Sequence, residues 1–214
     1  YALTCKLITK ADGSKFGKTA DGNVWLDAKR TSPYKFYQYW LNSSDSDAED
    51  YIKIFTFLDQ ETINALIKEH REVPHMRLLQ KKIGEEVTIM THGQEAYDNA
   101  IKASNILVGR STADDLKSLD EQTFLDVFDG VPQAAISRTL IEDGLGVVPA
   151  FADQGFLKSN GEVRRALKEN SISINKAKVT EDFLITADDL IADKYVLLQR
   201  GKKTYFLLKI ADNS

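Results

Sequence analysis

Lys15-Phe16-Gly17-Lys18-Thr19 places two ammonium groups and a hydroxyl on one short, glycine-containing segment. That combination suits phosphate. Lysine offers a compact point charge on a long stem, and glycine lets the backbone approach a ligand closely. On a triphosphate such charges act most where negative charge grows on a departing pyrophosphate. A P-loop is the first rival, and it requires Gly-x-x-x-x-Gly-Lys-Thr. Only three residues separate Gly13 from Gly17, so that cradle is one residue short and phosphotransferase chemistry built on it is rejected.

A second set of cations lies far along the chain: Lys158, Arg164, Arg165 and Lys168, joined by Lys176, Lys178, Lys202 and Lys203. Arg164 and Lys168 are one helical turn apart and share a face, while Val163 and Leu167 point to a core. The set reads either as a solvated helix face or as a grip on phosphates, which Lys and Arg supply in RNA-binding proteins. The overall charge of -4 argues against a protein that coats nucleic acid without selectivity. Residues 156–214 nevertheless hold 11 Lys and Arg against 8 Asp and Glu, and residues 1–155 hold 17 against 24. A modestly basic end on an acidic body points to a local polyanion contact.

The elements that must position these groups follow from periodicity. Ser32 and Pro33 open a helix with Phe36, Tyr37, Trp40 and Leu41 at helical spacing. Ser46-Asp47-Ala48-Glu49 has capping-box spacing ahead of a stripe of Ala48, Tyr51, Ile52, Phe55 and Leu58. Asp59 can cap a third helix carrying Ile63, Leu66 and Ile67, which must end near Val73 because Pro74 follows. Leu79, Ile83, Val87 and Met90 mark the buried face of a fourth, Gly93 interrupts it, and Tyr97, Ile101, Ser104 and Leu107 continue a face until Gly109. Residues 111–140 are acidic and turn-rich, read as a linker with a short helix at Glu121 to Phe128 and a break at Gly130-Val131-Pro132. Beyond it Ser159-Asn160-Gly161-Glu162 has capping-box spacing, Ile172 and Ile174 alternate with serines, and Tyr195 to Arg200 and Thr204 to Ile210 read as strands around Gly201-Lys202-Lys203. The fold class is therefore α+β: an all-helical domain followed by a small α+β domain.

Lys15 to Thr19, continued by Asn23-Val24-Trp25-Leu26-Asp27 and Thr31-Ser32-Pro33-Tyr34-Lys35-Phe36-Tyr37-Gln38-Tyr39-Trp40, resembles the tyrosyl-tRNA synthetases of bacterial type in order and spacing. The loop is similar to the Lys-Met-Ser-Lys-Ser signature of class I aminoacyl-tRNA synthetases, with Phe16-Gly17 in place of Met-Ser. His92-Gly93 and the basic C-terminal segment also match, so the resemblance covers essentially the whole chain. Ser159 to Leu167 with Ser171-Ile172-Ser173-Ile174-Asn175, and the hairpin at Gly201-Lys202-Lys203, resemble the small RNA-binding module named after ribosomal protein S-four. The module's usual Asn-Gly turn reads Asn175-Lys176 here.

The resemblance implies four parts: residues 1–30 as the signature-loop segment ending a catalytic domain, 31–110 as a helical anticodon-recognition domain, 111–140 as the linker, and 141–214 as the S-four-type RNA-binding domain. It implies a parent enzyme that joins tyrosine to tRNA(Tyr) through tyrosyl-adenylate made from ATP, with Mg2+. Lys15, Lys18 and Thr19 would be its catalytic loop residues, and Lys18 the direct ATP contact. Asp45 falls where related enzymes carry an acidic residue near the first anticodon base; it reads equally as helix-start punctuation. Lys158, Arg164, Arg165, Lys168, Lys176, Lys178, Lys202 and Lys203 would meet RNA. No His-x-Gly-His-type motif occurs, so the chain is expected to be a C-terminal portion, inactive alone and monomeric, the parent dimerising through its catalytic domain. The competing reading is a stand-alone RNA-binding or ribosome-associated module.

The remaining chemistry-bearing residues read as structural. Tyr34, Phe36, Tyr37, Tyr39 and Trp40 invite base stacking, yet five aromatics in seven helical residues cannot all face outward and are expected in the core, with Tyr34 or Tyr39 exposed. His92 is expected in a structural hydrogen bond, since no ligand partner has metal-site spacing. The single cysteine, Cys5, has no catalytic partner nearby in sequence and is expected to be an inert thiol in a reducing compartment. No apolar run approaches the roughly 20 residues of a membrane span, and Tyr1 to Ile8 is too short and polar for a signal peptide. A cytoplasmic location is expected.

Overall fold

The computed structural model describes residues 2, 4, 7–14, 16–19, 22–107 and 112–211, with backbone alone at 18, 19, 22 and 107. Two compact units divide the chain, Tyr1–Ile101 and Lys102–Ser214.

In the first unit, β1 (Lys18–Thr19) pairs antiparallel with β2 (Gly22–Asn23), Lys18 opposite Asn23. Helix α1 (Pro33–Leu41) starts where expected: Ser32 accepts from the Lys35 amide at 3.2 Å, and proline fills the first turn, where no amide donor is missed. Helix α2 (Asp45–Phe55) starts earlier than the Ser46 spacing suggests. Ser44, not Ser46, is the cap, accepting from the Asp47 amide at 3.1 Å. Helix α3 (Gln60–Glu72) is capped by Asp59 and stops at Val73, ahead of Pro74. Helix α4 (Leu78–His92) ends at Gly93, whose φ of 88° suits a residue without Cβ. Leu79, Ile83 and Val87 are buried, but Met90 is 54% exposed and does not continue their face. Phe36, Trp40, Ala48, Tyr51, Ile52, Ile63 and Ile67 complete this core.

Helix α5 (Gln94–Leu107) runs across the division between the units. Its buried residues are Ala100, Ala103 and Ile106, a face one step away from the expected Tyr97, Ile101 and Ser104. Small alanines take the inner positions, and the larger residues sit half-buried at the sides.

The second unit begins where a linker was expected. Helices α6 (Ala113–Lys117) and α7 (Glu121–Val127) and strand β3 (Gln133–Ile136) occupy that stretch. Phe124 packs 5.4 Å from Tyr195 and Phe128 5.5 Å from Tyr205, ring centre to ring centre, so these residues belong to the fold. There follow α8 (Arg138–Glu142), β4 (Leu145–Gly146), α9 (Val147–Ala152), α10 (Asn160–Lys168), β5 (Ile172–Ile174), β6 (Ala177–Lys178), β7 (Leu184–Ile185), β8 (Tyr195–Arg200) and β9 (Thr204–Ile210). The main sheet has the order β3-β9-β8-β5-β6, with β3 parallel to β9 and the other pairs antiparallel. A smaller antiparallel pair joins β4 to β7. Val163, Ala166, Ile172, Ile174, Val196, Leu198, Phe206 and Leu208 lie in one core with Val147 and Phe151. The α+β class follows directly: the buried residues of the first core come from helices, with Ile8, Phe16 and Val24 packed against them, and helices lie on a sheet in the second.

Candidate nucleic-acid interface

The lysine-rich loop is anchored through its aromatic residue. Phe16 lies 4.9 Å from Phe55 in a stacked arrangement, 5.2 Å from Tyr51 and 5.8 Å from Trp40. The Gly17 amide donates to the Tyr39 hydroxyl at 3.1 Å, and Val24 donates to the Gly17 carbonyl at 3.0 Å. Upstream, the Ala11 amide donates to Asp47 Oδ1 at 2.6 Å. Gly17 has φ of +78°, and open space surrounds the position a Cβ would take, so backbone conformation rather than crowding calls for glycine there. Lys15 and Cys5 lie outside the described residues. Lys18 and Thr19 are described as β1 backbone.

The aromatic cluster is core, and more completely than expected, since neither Tyr34 nor Tyr39 is exposed: Tyr34, Phe36, Tyr37 and Trp40 are buried, and Tyr39 is half-buried. Burial pushes the Tyr37 phenol up to about 12. His92 stacks edge-on against Phe36 at 4.9 Å, and burial lowers its pKa. Its Nε2 makes no hydrogen bond within the described residues.

Asp45 stands exposed at the start of α2 and is not the cap, since Ser44 fills that role. Two buried side chains converge on it from other helices. Gln80 Nε2 donates to Asp45 Oδ1 at 2.6 Å, and His70 Nε2 lies 3.2 Å from the same oxygen. The backbone leading into Asp45 is pinned as well: Arg77 Nη2 donates to the Leu41 carbonyl at 2.7 Å and the Ser43 carbonyl at 2.9 Å. Sequence reading singled out Asp45 but none of His70, Arg77 and Gln80. The sequence carries no signal for them: His70 stands among Lys68, Glu69, Arg71 and Glu72, Gln80 precedes Lys81 and Lys82, and Arg77 follows an exposed Met76.

In the second unit, α10 buries Val163 and Ala166 and leaves Arg164, Arg165 and Lys168 outside. The helix start is well made: Ser159 accepts from the Glu162 amide, and the Glu162 carboxylate accepts from the Lys158 amide at 3.0 Å and pairs with Arg200 of β8. Those contacts hold the Glu162 carboxyl below its ordinary range, the Lys158 amide contributing most and Arg200 next. Arg164 pairs with Glu181 at 2.7 Å, both half-exposed, so the guanidinium stays within reach of solvent. Lys158, Lys202 and Lys203 are exposed, the last two on the β8–β9 turn. Lys178 is exposed, and its ammonium donates to the Asn170 carbonyl at 2.7 Å.

Lys176 departs from the expected RNA-facing set. Its ammonium donates to the Tyr205 hydroxyl at 2.7 Å and the Ile106 carbonyl at 3.1 Å, and sits 4.4 Å from the Tyr205 ring centre. Burial pulls its pKa down to about 8. The turn that carries it keeps two consecutive left-handed residues, Asn175 at φ 46° and Lys176 at φ 70°, the conformation an Asn-Gly turn would take. Asn175 is locked there, accepting from the Leu197 amide at 2.9 Å and donating to the Asp189 carbonyl at 2.5 Å.

Among the described residues no group of three His, Cys, Asp or Glu is placed to hold a metal ion, and no helix is long and apolar enough to cross a membrane.

Residues 1–109 match the family model described as tRNA synthetases class I (W and Y), and residues 123–208 match that of the Tyrosine–tRNA ligase SYY-like C-terminal domain. The chain is 63% identical over 211 residues to a tyrosine–tRNA ligase of Flavobacterium johnsoniae, covering 98% of this chain and 49% of that protein. It is 56% identical over 210 residues to a tyrosine–tRNA ligase of Bacteroides fragilis, covering 97% and 49%. The crystal structure of a C-terminally truncated mitochondrial tyrosyl-tRNA synthetase of Coccidioides posadasii matches 45% of this chain and 24% of its own, at 38% identity and a TM-score of 0.39. The chain spans about half the length of the curated relatives it matches.

Proposed function

Since the chain belongs to the class I tRNA synthetases of the W and Y family, we propose that it is the tRNA-binding C-terminal portion of a tyrosine–tRNA ligase. The parent protein would attach tyrosine to tRNA(Tyr) in the cytoplasm through tyrosyl-adenylate, in two steps. The tyrosine carboxylate attacks the α-phosphorus of ATP and pyrophosphate departs; the terminal ribose hydroxyl of tRNA then attacks the adenylate carbonyl and AMP leaves. ATP would supply the adenylyl group, and Mg2+ would offset the charge of its phosphates. The residues of this chain that would act there are Lys15, Lys18 and Thr19: two positive charges and a hydroxyl set against the charge gained by pyrophosphate. Phe16 and Gly17 fix the base of that loop on the helical core.

Binding of tRNA is the activity proposed for the chain itself. The observation that carries it is the amphipathic α10, whose Arg164, Arg165 and Lys168 face outward above a buried Val163 and Ala166, with Lys158, Lys178, Lys202 and Lys203 also at the surface of the same unit. Such an array meets phosphates through exposed cationic side chains, Arg164 and Lys178 by exchanging their surface contacts with Glu181 and the Asn170 carbonyl. Lys176 is left out of it because its ammonium is held by Tyr205 and Ile106. In the helical unit, Asp45 is proposed to accept hydrogen bonds from the first anticodon base.

Fluorescence anisotropy with a tRNA(Tyr) transcript, a non-cognate tRNA and a salt series tests this reading. Tighter binding of the cognate transcript, weakening steeply with salt, is expected. Absence of binding to either RNA would overturn it. The chain alone is expected to sediment as a monomer and to show no tyrosine-dependent pyrophosphate exchange.

A further inference from the structure

The start of α2 is held by more than a helix start requires. Ser44 already caps the helix, and the Asp45 side chain is 55% exposed, so hydration alone would satisfy its carboxylate. Yet Gln80, fully buried on α4, gives its amide donor to Asp45 Oδ1 at 2.6 Å. His70, 1% exposed on α3, brings Nε2 to 3.2 Å of that oxygen. Burying polar side chains costs free energy unless they are well paired. Gln80 Oε1 and both ring nitrogens of His70 lack an aligned hydrogen bond within the described residues. Leucine or phenylalanine would pack there at less cost, so stability does not account for two polar groups gathered around one exposed carboxylate. Their effect on Asp45 is directional. The Gln80 hydrogen bond ties Oδ1 inward, and the second oxygen, Oδ2, belongs to a side chain that is otherwise more than half exposed.

We propose that Gln80 and His70 are positioning residues for Asp45: the Gln80 hydrogen bond holds Oδ1 and the buried His70 ring closes off the space beside it, so that Oδ2 is aimed at the N–H edge of an unpaired guanine and the selectivity of this site is set. This rests on the reading of Asp45 as a contact to the first anticodon base. A carboxylate accepts and cannot donate, so it favours the imino and amino N–H groups of guanine over the bare N1 of adenine. A carboxylate free to rotate must lose that freedom on binding, whereas an anchored one has already lost it. Arg77 strengthens the arrangement by fixing the Leu41 and Ser43 carbonyls, so backbone and side chain are both set before RNA arrives.

The test measures binding of the full 214-residue chain to anticodon stem-loop RNAs that differ only in the first anticodon base: guanosine, inosine or adenosine. The wild-type chain is expected to prefer guanosine over adenosine about tenfold, with inosine between, the size of one charge-assisted hydrogen bond. Asp45→Asn should erase the preference. Gln80→Met, which keeps volume and removes the donor, should reduce it to roughly two- to threefold with the salt dependence unchanged, and should add nothing in an Asp45→Asn background. His70→Ala, which opens the space beside Oδ1, should weaken it likewise, and His70→Phe, which keeps a ring there, should restore it. Thermal melts confirm that each variant is folded; if Gln80→Met is not, the His70 pair decides. Retention of the wild-type ratio in Gln80→Met and His70→Ala, with Asp45→Asn erasing it, would overturn the positioning role and leave base reading intact. Retention of the ratio in Asp45→Asn would overturn base reading itself, and this inference with it.

Discussion

Phe16 and Phe55 stack with ring centres 4.9 Å apart and planes 19° from parallel, which ties the lysine-rich loop to the far end of the helix that begins at Asp45. Phe16→Ala would lose contacts to Phe55, Tyr51 and Trp40 together. For a half-buried phenylalanine the expected loss is about 2 kcal/mol, below the figure for a fully buried one. Both tryptophans lie in the first unit, so urea unfolding followed by tryptophan fluorescence reads that unit alone. Phe16→Leu should recover most of the loss; an unchanged midpoint in Phe16→Ala would show that the stack contributes nothing.

Gly84 lies inside α4, where alanine ordinarily stabilises a helix by about 1 kcal/mol. A Cβ there would stand 2.7 Å and 2.9 Å from two ring carbons of Tyr37. Overpacking costs roughly 1–3 kcal/mol and outweighs the propensity gain, because the buried Tyr37 also packs against Tyr97 at 5.7 Å and has little room to yield. Gly84→Ala is therefore expected to lower the thermal midpoint. Adding Tyr37→Leu, which removes the ring, should make the alanine neutral or favourable.

Arg165 and Lys168 are exposed on α10 and take no part in its core. Replacing both with alanine should leave the melting curve within error. Binding to tRNA should weaken, and the slope of log affinity against log salt should fall by about 2 if each side chain meets one phosphate. An unchanged slope would place the RNA contact elsewhere on the unit.

Lys176 titrates near pH 8 in the fold, below its ordinary 10.5, because burial disfavours the charged form. Between those values the unfolded chain binds more protons than the folded one, so stability rises with pH through that window. The penalty is fully present below pH 8 and gone above 10.5. Compared with Lys176→Met, the wild-type chain should gain stability as pH climbs from 8 toward 10, read as the difference between the two melting midpoints. Half-exposure moderates the size of the gain without changing its sign. A flat difference would show that the ammonium is solvated.

Local rules were legible in sequence wherever the partner is near. Ser32 and Asp59 cap their helices from three residues away, and Gly93 and Val73 end theirs as anticipated. The reading slipped where two local signals compete: Ser44 precedes α2 and Ser46 lies in its first turn, and Ser44 has the extended backbone a cap requires. It missed what depends on distant partners. Lys176 resembles any surface lysine until Tyr205 and Ile106 are brought beside it. Gln80 and His70 come beside Asp45 only when three helices are packed; in sequence His70 stands among Lys68, Glu69, Arg71 and Glu72, and Gln80 beside Lys81 and Lys82, where nothing hints at burial or direction. Strand β3 escaped notice because Gln133-Ala134-Ala135 has neither alternation nor β-branched residues; its place is set by β9, which follows much later in the chain.

That plain strand has a use as a guard against aggregation. β9 carries Tyr205, Phe206, Leu207 and Leu208 between β3 and β8, an apolar run whose open edge would offer unpaired amides and carbonyls to any passing chain. β3 covers that edge with four residues, of which Gln133 and Ala135 are exposed, and Pro132 stands immediately before it. The sheet therefore presents to its surroundings a short border of glutamine and alanine behind a proline, a poor template for further strands. Changes at Gln133 or Ala135 that loosen this border, unlike changes at the buried Ile136, should matter less for the melting temperature than for how long the protein stays in solution.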